Sequence, residues 1–308
     1  MGARPTVSRG LASGPVARTS RHSFRALGAP ALAGALLALL TGCKPISAPG
    51  GPFAAVWPEL REQADSLLAA RQPEAAEQRL RVAQAVLRAP WAPEWQLREL
   101  ACGLEDWREW PGRRSGERDS LMQAAADVRA ARRASQHDSL DAAERLAASA
   151  YATRLALLGS ASAATASAAL ELADLSFRLS RIARTDSLAS AAMVALERAF
   201  GPRHPELALA HEQLGRSLKN YHGGTALPRA LEFYQEALRM RVETVGPHAS
   251  AIAGAFHEIG NLERSRRAPA AALDAFRVAL ALRRETYGPV DDAVASTLTA
   301  MAILEGAR

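Results

Sequence analysis

The chain has 308 residues, which is enough for one or two domains, and 48% of them are apolar, which is ample for a hydrophobic core. Its formal net charge is +6, but residues 1–42 hold five arginines, no lysine and no acidic residue, so the remainder carries only 6 − 5 = +1. A nearly neutral remainder removes the main support for nucleic-acid binding, and we expect no nucleic-acid partner.

Residues 1–42 have the pattern of an export signal. An arginine-rich start is followed by the apolar run LGAPALAGALLALL at 27–40. As a helix this run would measure about 21 Å at 1.5 Å per residue, short of the ~30 Å hydrocarbon core of a bilayer. The length therefore favours a signal peptide over a permanent transmembrane span.

The motif LTGC at 40–43 resembles the lipobox of bacterial lipoproteins, in which an apolar residue and small residues precede a cysteine. The resemblance implies that the Cys43 thiol carries a lipid and that cleavage leaves Cys43 as the first residue. The alternative is an ordinary cysteine at the end of a signal. We predict a signal peptide at 1–42, a flexible tether at 43–52 and a lipoprotein facing the periplasm. Lys44, rather than an aspartate, is compatible with the outer membrane.

A helical section with one isolated repeat is predicted for residues 53–116. The segment RQPEAAEQRLRVAQ at 71–84 matches RAPAAALDAFRVAL at 267–280 at seven positions. All five tryptophans lie between positions 57 and 110, and WAPEWQLRELACGLEDWREW at 91–110 places several of them at helical spacing. This Trp-rich segment is interpreted as a cap over the first repeats or, alternatively, as a docking surface.

Three landmarks recur along the rest of the chain and predict repeated pairs of amphipathic helices. The first is a glycine, and the spacings between its four occurrences are 42, 45 and 42 residues. Thirteen residues after each glycine lies an apolar residue followed by a tiny one, and nine residues before each lies an alanine. In chain order the glycines, tiny residues and alanines are Gly159, Gly201, Gly246 and Gly288; Ala173, Gly215, Gly260 and Ala302; and Ala150, Ala192, Ala237 and Ala279. The tiny residues predict close contact between the two helices of each pair.

These segments resemble the tetratricopeptide repeat, in particular its longer kinesin-light-chain-type variant. FGPRHPELA with ALEFYQEAL, and YGPVDDAVA with ALDAFRVAL, carry the resemblance. It implies an all-α, helix-hairpin solenoid in which the last helix either caps the array or precedes further chain. The array is predicted over 117–308, with units near 117–158, 159–200, 201–245 and 246–287 and a half unit at 288–308.

The resemblance also implies a groove lined by the first helix of each unit. The family's groove positions fall on Glu212, Arg216, Lys219, His257, Asn261 and Arg264. Such side chains would bind a protein or peptide segment, and the three cations would favour an acidic one. The alternative is a solvated charged face.

No motif for catalysis, cofactor binding or metal binding is present. The pairs His211-Glu212 and His257-Glu258 lack the second histidine of a zinc-protease helix, because positions 215 and 261 are glycine and asparagine. We therefore predict a lipid-anchored, non-enzymatic scaffold of the cell envelope. The alternative is the regulatory repeat portion of an enzyme, such as a peptidase or kinase, whose catalytic domain is not in this chain.

Overall fold

A computed structural model of the chain describes residues 56–86, 94–137, 139–245 and 250–306. These ranges contain α-helices and two short 3₁₀ turns but no strand, which confirms the predicted all-α class. The predicted signal peptide, the tether and Cys43 lie outside the described residues. The helices are α1 (Val56–Ala69), α2 (Pro73–Val86), α3 (Glu94–Glu109), α4 (Ser115–Gln136), α5 (Leu140–Leu158), α6 (Ala163–Arg178), α7 (Ile182–Phe200), α8 (Pro205–Tyr221), α9 (Leu227–Val245), α10 (Ser250–Ser265), α11 (Pro269–Tyr287) and α12 (Asp292–Gly306).

Helices α4 to α11 form four hairpins that stack side by side, and α12 packs against α11 as a single helix. The first helices of successive hairpins also contact one another: α4 contacts α6, and α6 contacts α8. The single helix α12 continues this layer, since it contacts α10. These first helices make one layer, called the inner face below, and the second helices make the other. The predicted helix-hairpin solenoid is confirmed.

Small residues set the distances between the helices. The four landmark alanines are all at most 1% exposed, so each is enclosed where neighbouring helices meet. Within the hairpins, a Cβ atom added to Gly215 would lie 3.0 Å from the ring of Tyr234, and one added to Gly260 would lie 2.6 Å from the ring of Phe276. The predicted close contact is therefore present, and an aromatic ring of the second helix fills the space beside each glycine.

Residues with positive φ end many of the helices. Gly159, Gly201 and Gly288 have φ of 79°, 77° and 83°, and the N–H of each donates to the carbonyl four residues earlier. Within the hairpins the same role falls to non-glycine residues, since Ser180 and Arg267 have φ of 59° and 60°. At Arg267 two backbone hydrogen bonds close the turn in the pattern of a Schellman motif.

The amino-terminal helices pack back onto the solenoid. Helix α1 contacts α4, whereas α3 contacts α7, the second helix of the second hairpin. Cys102 of α3 lies against Ala199 at the end of α7 and packs on the core cluster that contains Phe200. The side chains of Trp91, Trp95 and Trp107 are outside the described part of the chain, so the docking interpretation of the Trp-rich segment stays a prediction.

We expect Gly260→Ala to destabilise the protein, because the added methyl group meets the fully buried Phe276 ring. Overpacking of this kind costs about 1–3 kcal/mol, more than the gain of up to ~1 kcal/mol from better helix propensity. Gly254→Ala is the matched control: it lies on the same helix, and nothing approaches its Cβ position within 4 Å. It should stabilise by about 1 kcal/mol. Urea unfolding measures both, and equal stabilisation by the two variants would contradict the close contact.

A second prediction concerns the hairpin turn at Arg267, whose side chain is exposed. A non-glycine residue in the left-handed region costs about 1 kcal/mol. Arg267→Gly should therefore be about 1 kcal/mol more stable than Arg267→Ala, since both variants lose the side chain and differ only in backbone freedom. Equal unfolding free energies for the two variants would exclude this turn geometry.

Candidate functional site

The predicted groove residues of α8 lie on the inner face, but internal partners occupy their charges. Glu212 forms a two-point ion pair with Arg241 of α9, at 2.5 and 2.7 Å. The Arg216 Nη2 atom lies 2.5 Å from Asp174 Oδ1 of α6, and its guanidinium stacks 4.2 Å from the centre of the Phe177 ring. These contacts join α8 to its own hairpin and to the preceding one.

The other predicted groove cations differ from each other. Lys219 donates to Glu258 of α10, 2.5 Å away, and is largely buried. Arg264 is half-buried and makes no ion pair within the described part of the chain. The preference for an acidic segment therefore rests mainly on Arg264 and stays a prediction.

His257 lies where α10, α11 and α12 meet. Its Nδ1 atom is 3.4 Å from Arg283 Nη1 and 3.5 Å from Thr297 Oγ1, and its ring packs 5.3 Å from Phe276. Burial, followed by the Arg283 charge, lowers the pKa of His257, so the ring is neutral at pH 7. This side chain stabilises the junction of the helices, while the nearby Asn261 is half-buried and keeps its predicted role.

Polar contacts between neighbouring units recur along the inner face. Their partners are 39 to 43 residues apart, which is about one repeat. They are Arg132–Glu171, Ser167–Glu206, Gln213–Leu170 carbonyl, Arg216–Asp174 and Lys219–Glu258. Exposed ion pairs contribute only about 0–1 kcal/mol each, so their main effect is to fix how one unit sits on the next.

A second site lies where α1 and α3 cover the amino-terminal half of the inner face. A half-open chamber of about 480 Å³ lies between these helices and the inner face. Its polar wall includes Arg61, Asp65, Glu99, Arg154, Ser167 and Glu206.

Arg61 is the centre of the polar network in this wall. It donates through Nη1 to Glu99 and through Nη2 to Glu206 Oε1, 2.7 Å away. The other Glu206 oxygen accepts a hydrogen bond from Ser167. Burial lowers the pKa of Arg61, but the Glu206 and Glu99 carboxylates outweigh it and raise that pKa above its ordinary value. Arg61 is thus always charged and fully engaged.

His204 closes the network at the start of α8. Its Nδ1 accepts the backbone N–H of Glu206 at 3.2 Å, so in the neutral ring the proton is on Nε2. That nitrogen lies 3.6 Å from Glu99 Oε2, and the ring stacks on Phe200 at 4.1 Å between centroids. His204 is only 1% exposed, and it caps α8 while its ring lies beside Glu99.

Two further charges face the chamber without pairing to each other. Asp65 is open to the chamber and makes no hydrogen bond to a described residue. The side chain is exposed, but the surrounding protein still desolvates it in part and so raises the pKa of Asp65, although Arg61 and then Arg154 oppose the shift. Arg154 donates through Nη1 to the Ala164 carbonyl at 3.0 Å, and burial lowers its pKa, opposed chiefly by Asp65.

An apolar recess of about 180 Å³ adjoins the chamber and shares Arg61, Asp65 and Arg154 with it. Its apolar lining includes Leu68, Leu80, Cys102, Trp110, Leu121 and Phe200. The oppositely charged side chains of Asp65 and Arg154 therefore lie beside the apolar recess.

The sequence carried little signal for this site. Arg61 is 38 residues from Glu99 and 145 from Glu206, and neither separation follows a motif or the repeat period. His204 stands in the linker FGPRHPELA that supports the repeat resemblance, but nothing there indicates its contact with α3.

Within the described ranges, no cluster of three or more His, Cys, Asp or Glu side chains could hold a metal ion. Among the helices of the same ranges, none is both long and apolar enough to span a membrane.

Residues 252–292, which cover most of α10 and all of α11, match the sequence model of the family "Tetratricopeptide repeat". No curated protein sequence matches the chain. Among solved structures, the chain is similar to a Rap protein complexed with Competence and Sporulation Factor, at 14% identity and a TM-score of 0.54, over 82% of this chain and 72% of that one.

Two further solved structures are similar to the chain at lower TM-scores. One is a putative kinesin light chain from Podosopora anserina with nearly identical TPR-like repeats, at 14% identity and a TM-score of 0.45, covering 77% of this chain and 99% of that one. The other is BtubC (BKLC) from P. vanneervenii, at 17% identity and a TM-score of 0.48, covering 78% and 92%. The segment 252–292 thus carries a tetratricopeptide repeat, set within a tetratricopeptide-like helical solenoid.

Proposed function

We propose that the protein is a lipid-anchored scaffold of the cell envelope that binds a protein or peptide partner at its inner face. The observation that carries this proposal is the layered solenoid itself, whose inner face presents side chains at a regular repeat spacing. Arrays of stacked helix hairpins use such extended surfaces for binding. The Rap protein of similar fold is complexed with a Competence and Sporulation Factor, which supports a protein or peptide as the kind of partner.

The anchor rests on the amino-terminal sequence. The motif LTGC and the basic and apolar segments before it support lipid attachment at Cys43, and Lys44 supports the outer membrane. The role is proposed to be non-catalytic, and nothing in the described part of the chain favours the alternative of a regulatory portion of an enzyme.

The partner surface is best assigned to the carboxy-terminal half of the inner face, on α8 and α10. The amino-terminal half is covered by α1 and α3. On α10, Asn261 and Arg264 are the predicted groove residues that internal ion pairs leave available. Arg216 and Lys219 are already engaged by Asp174 and Glu258, so their main effect is on the shape of the face.

Anchoring is tested by replacing Cys43 with serine in a bacterial host. We expect the native chain to incorporate labelled fatty acid and to sediment with the outer membrane, because a lipid on Cys43 holds it there. Cys43→Ser should lose the label and leave the outer-membrane fraction, whereas Cys102→Ser, the matched control, should retain both. If the two variants fractionate equally, Cys43 is not the site that anchors the protein to the membrane.

Partner binding is tested by charge reversal on the inner face. Arg264→Glu should lower the recovery of crosslinked partner from membranes about tenfold, which corresponds to about 1.4 kcal/mol. Arg284→Glu makes the same charge change on α11, where Arg284 is exposed on the opposite layer, and should leave recovery unchanged. If both variants recover the partner as well as the native chain does, the inner face is not the binding surface.

A further inference from the structure

Four charged side chains in the lining of the chamber under α1 form no ion pair with a described residue, namely Glu62, Asp65, Arg129 and Arg154. Asp65 and Arg154 also line the adjoining recess, whereas Glu62 and Arg129 do not. Arg61 is saturated by Glu99 and Glu206, and Arg132 is paired with Glu171. Asp65 then remains without a hydrogen-bonding partner among the described residues, and Arg154 donates only to a backbone carbonyl. Asp65 is exposed and Arg154 is half-buried, so both are accessible to a ligand that enters the chamber, and both lie beside the recess.

The combination of charges selects the ligand class. A simple anion would be attracted by Arg129 and Arg154 but repelled by Glu62 and Asp65. A simple cation would be attracted and repelled by the same groups in reverse. A ligand with an ammonium group close to a carbonyl or carboxylate would interact favourably with Asp65 and Arg154 at once.

The recess beside Asp65 and Arg154 specifies the side chain of that ligand. Its volume is about 180 Å³ and its lining is chiefly apolar, with Leu68, Leu80 and Phe200 among the wall residues. An apolar cavity of about 150 Å³ is sufficient to bind benzene. The recess therefore has room for an aliphatic side chain or a single aromatic ring.

We propose that the chamber binds an α-amino group with its adjacent carbonyl, as presented by the first residue of a peptide or by a free amino acid. The Asp65 carboxylate accepts hydrogen bonds from the α-ammonium group, and the Arg154 guanidinium donates to the carbonyl or carboxylate oxygen. The recess binds an apolar side chain such as that of leucine, methionine or phenylalanine. The chamber, at about 480 Å³, is within the usual range of small-ligand sites. This proposal rests on the proposed function, because it names the end of a partner whose remainder lies along the carboxy-terminal half of the inner face.

The test uses the purified full-length chain in detergent and a mixture of tripeptides that vary at every position. The same mixture with acetylated amino termini and a mixture of the free amino acids are the other two arms. Tripeptides that co-elute with the protein are identified by mass spectrometry. We expect enrichment of tripeptides with a free amino terminus and leucine, methionine or phenylalanine first, and no enrichment of acetylated ones. Enrichment of the free amino acids as well would identify an amino acid as sufficient, and enrichment of tripeptides alone would identify a peptide end.

Asp65→Asn should reduce the enrichment at least tenfold, because it removes the acceptor charge while keeping the side-chain shape. Asp119→Asn, at an exposed position on α4, is the matched control and should bind as the native chain does. The melting temperature of each variant checks folding. As a second readout, bound Leu-Leu-Leu should slow alkylation of Cys102, which lines the recess, measured on the fragment that contains it.

Several outcomes would overturn the proposal. They are no enrichment of any tripeptide or amino acid, equal enrichment of acetylated tripeptides, or undiminished binding by Asp65→Asn. The proposed function fails separately, through the Arg264→Glu pull-down. If Arg264→Glu loses the partner and the native chain binds no tripeptide, the scaffold function is supported and the chamber site is excluded. If the native chain binds tripeptides and Arg264→Glu still recovers the partner, the chamber site is supported and the inner-face scaffold is excluded.

Discussion

The close approach of two helices at a tiny residue is the constraint on which the whole solenoid depends. At Gly215 and Gly260 the first helix of a hairpin has no side chain, and the rings of Tyr234 and Phe276 occupy that space. The landmark alanine Ala237 is also fully buried, in the core cluster that contains Leu207 and Leu214 of α8. Since a single hairpin cannot bury its apolar faces alone, repetition of these close contacts is what makes a stable core.

The regular stacking determines the chemistry of the inner face. Residues one repeat apart are brought side by side, so Asp174 meets Arg216 and Lys219 meets Glu258. Most of the charge on this face therefore serves to hold units together. A ligand can contact only the side chains that these pairs between units do not engage, which on α10 are Arg264 and the polar Asn261. The number of charged residues in the sequence thus overstates the charge that is free to bind.

The fold was predictable because its determinants are local and periodic. Gly201 and Gly288 mark their linkers by residue type alone, and each takes the positive φ that the linker requires. The face to which the groove residues belong followed from the repeat resemblance. Their partners did not, because the contact of Glu212 with Arg241 depends on side-chain direction across a hairpin. The chamber was beyond prediction, since Arg61 and Glu206 are 145 residues apart and belong to no shared motif.

The charged interior between α1 and the solenoid is hard to explain by stability alone. Replacing a buried ion pair with well-packed apolar residues is often neutral or stabilising, so an apolar contact at Arg61 would hold α1 equally well. Charges instead give a defined orientation, since Arg61 must reach Glu99 and Glu206 together. They also keep the space between the helices polar and open. Asp65 and Arg154 form no ion pair with a described residue, and a bound ammonium group would pair with Asp65 while a bound carbonyl would pair with Arg154.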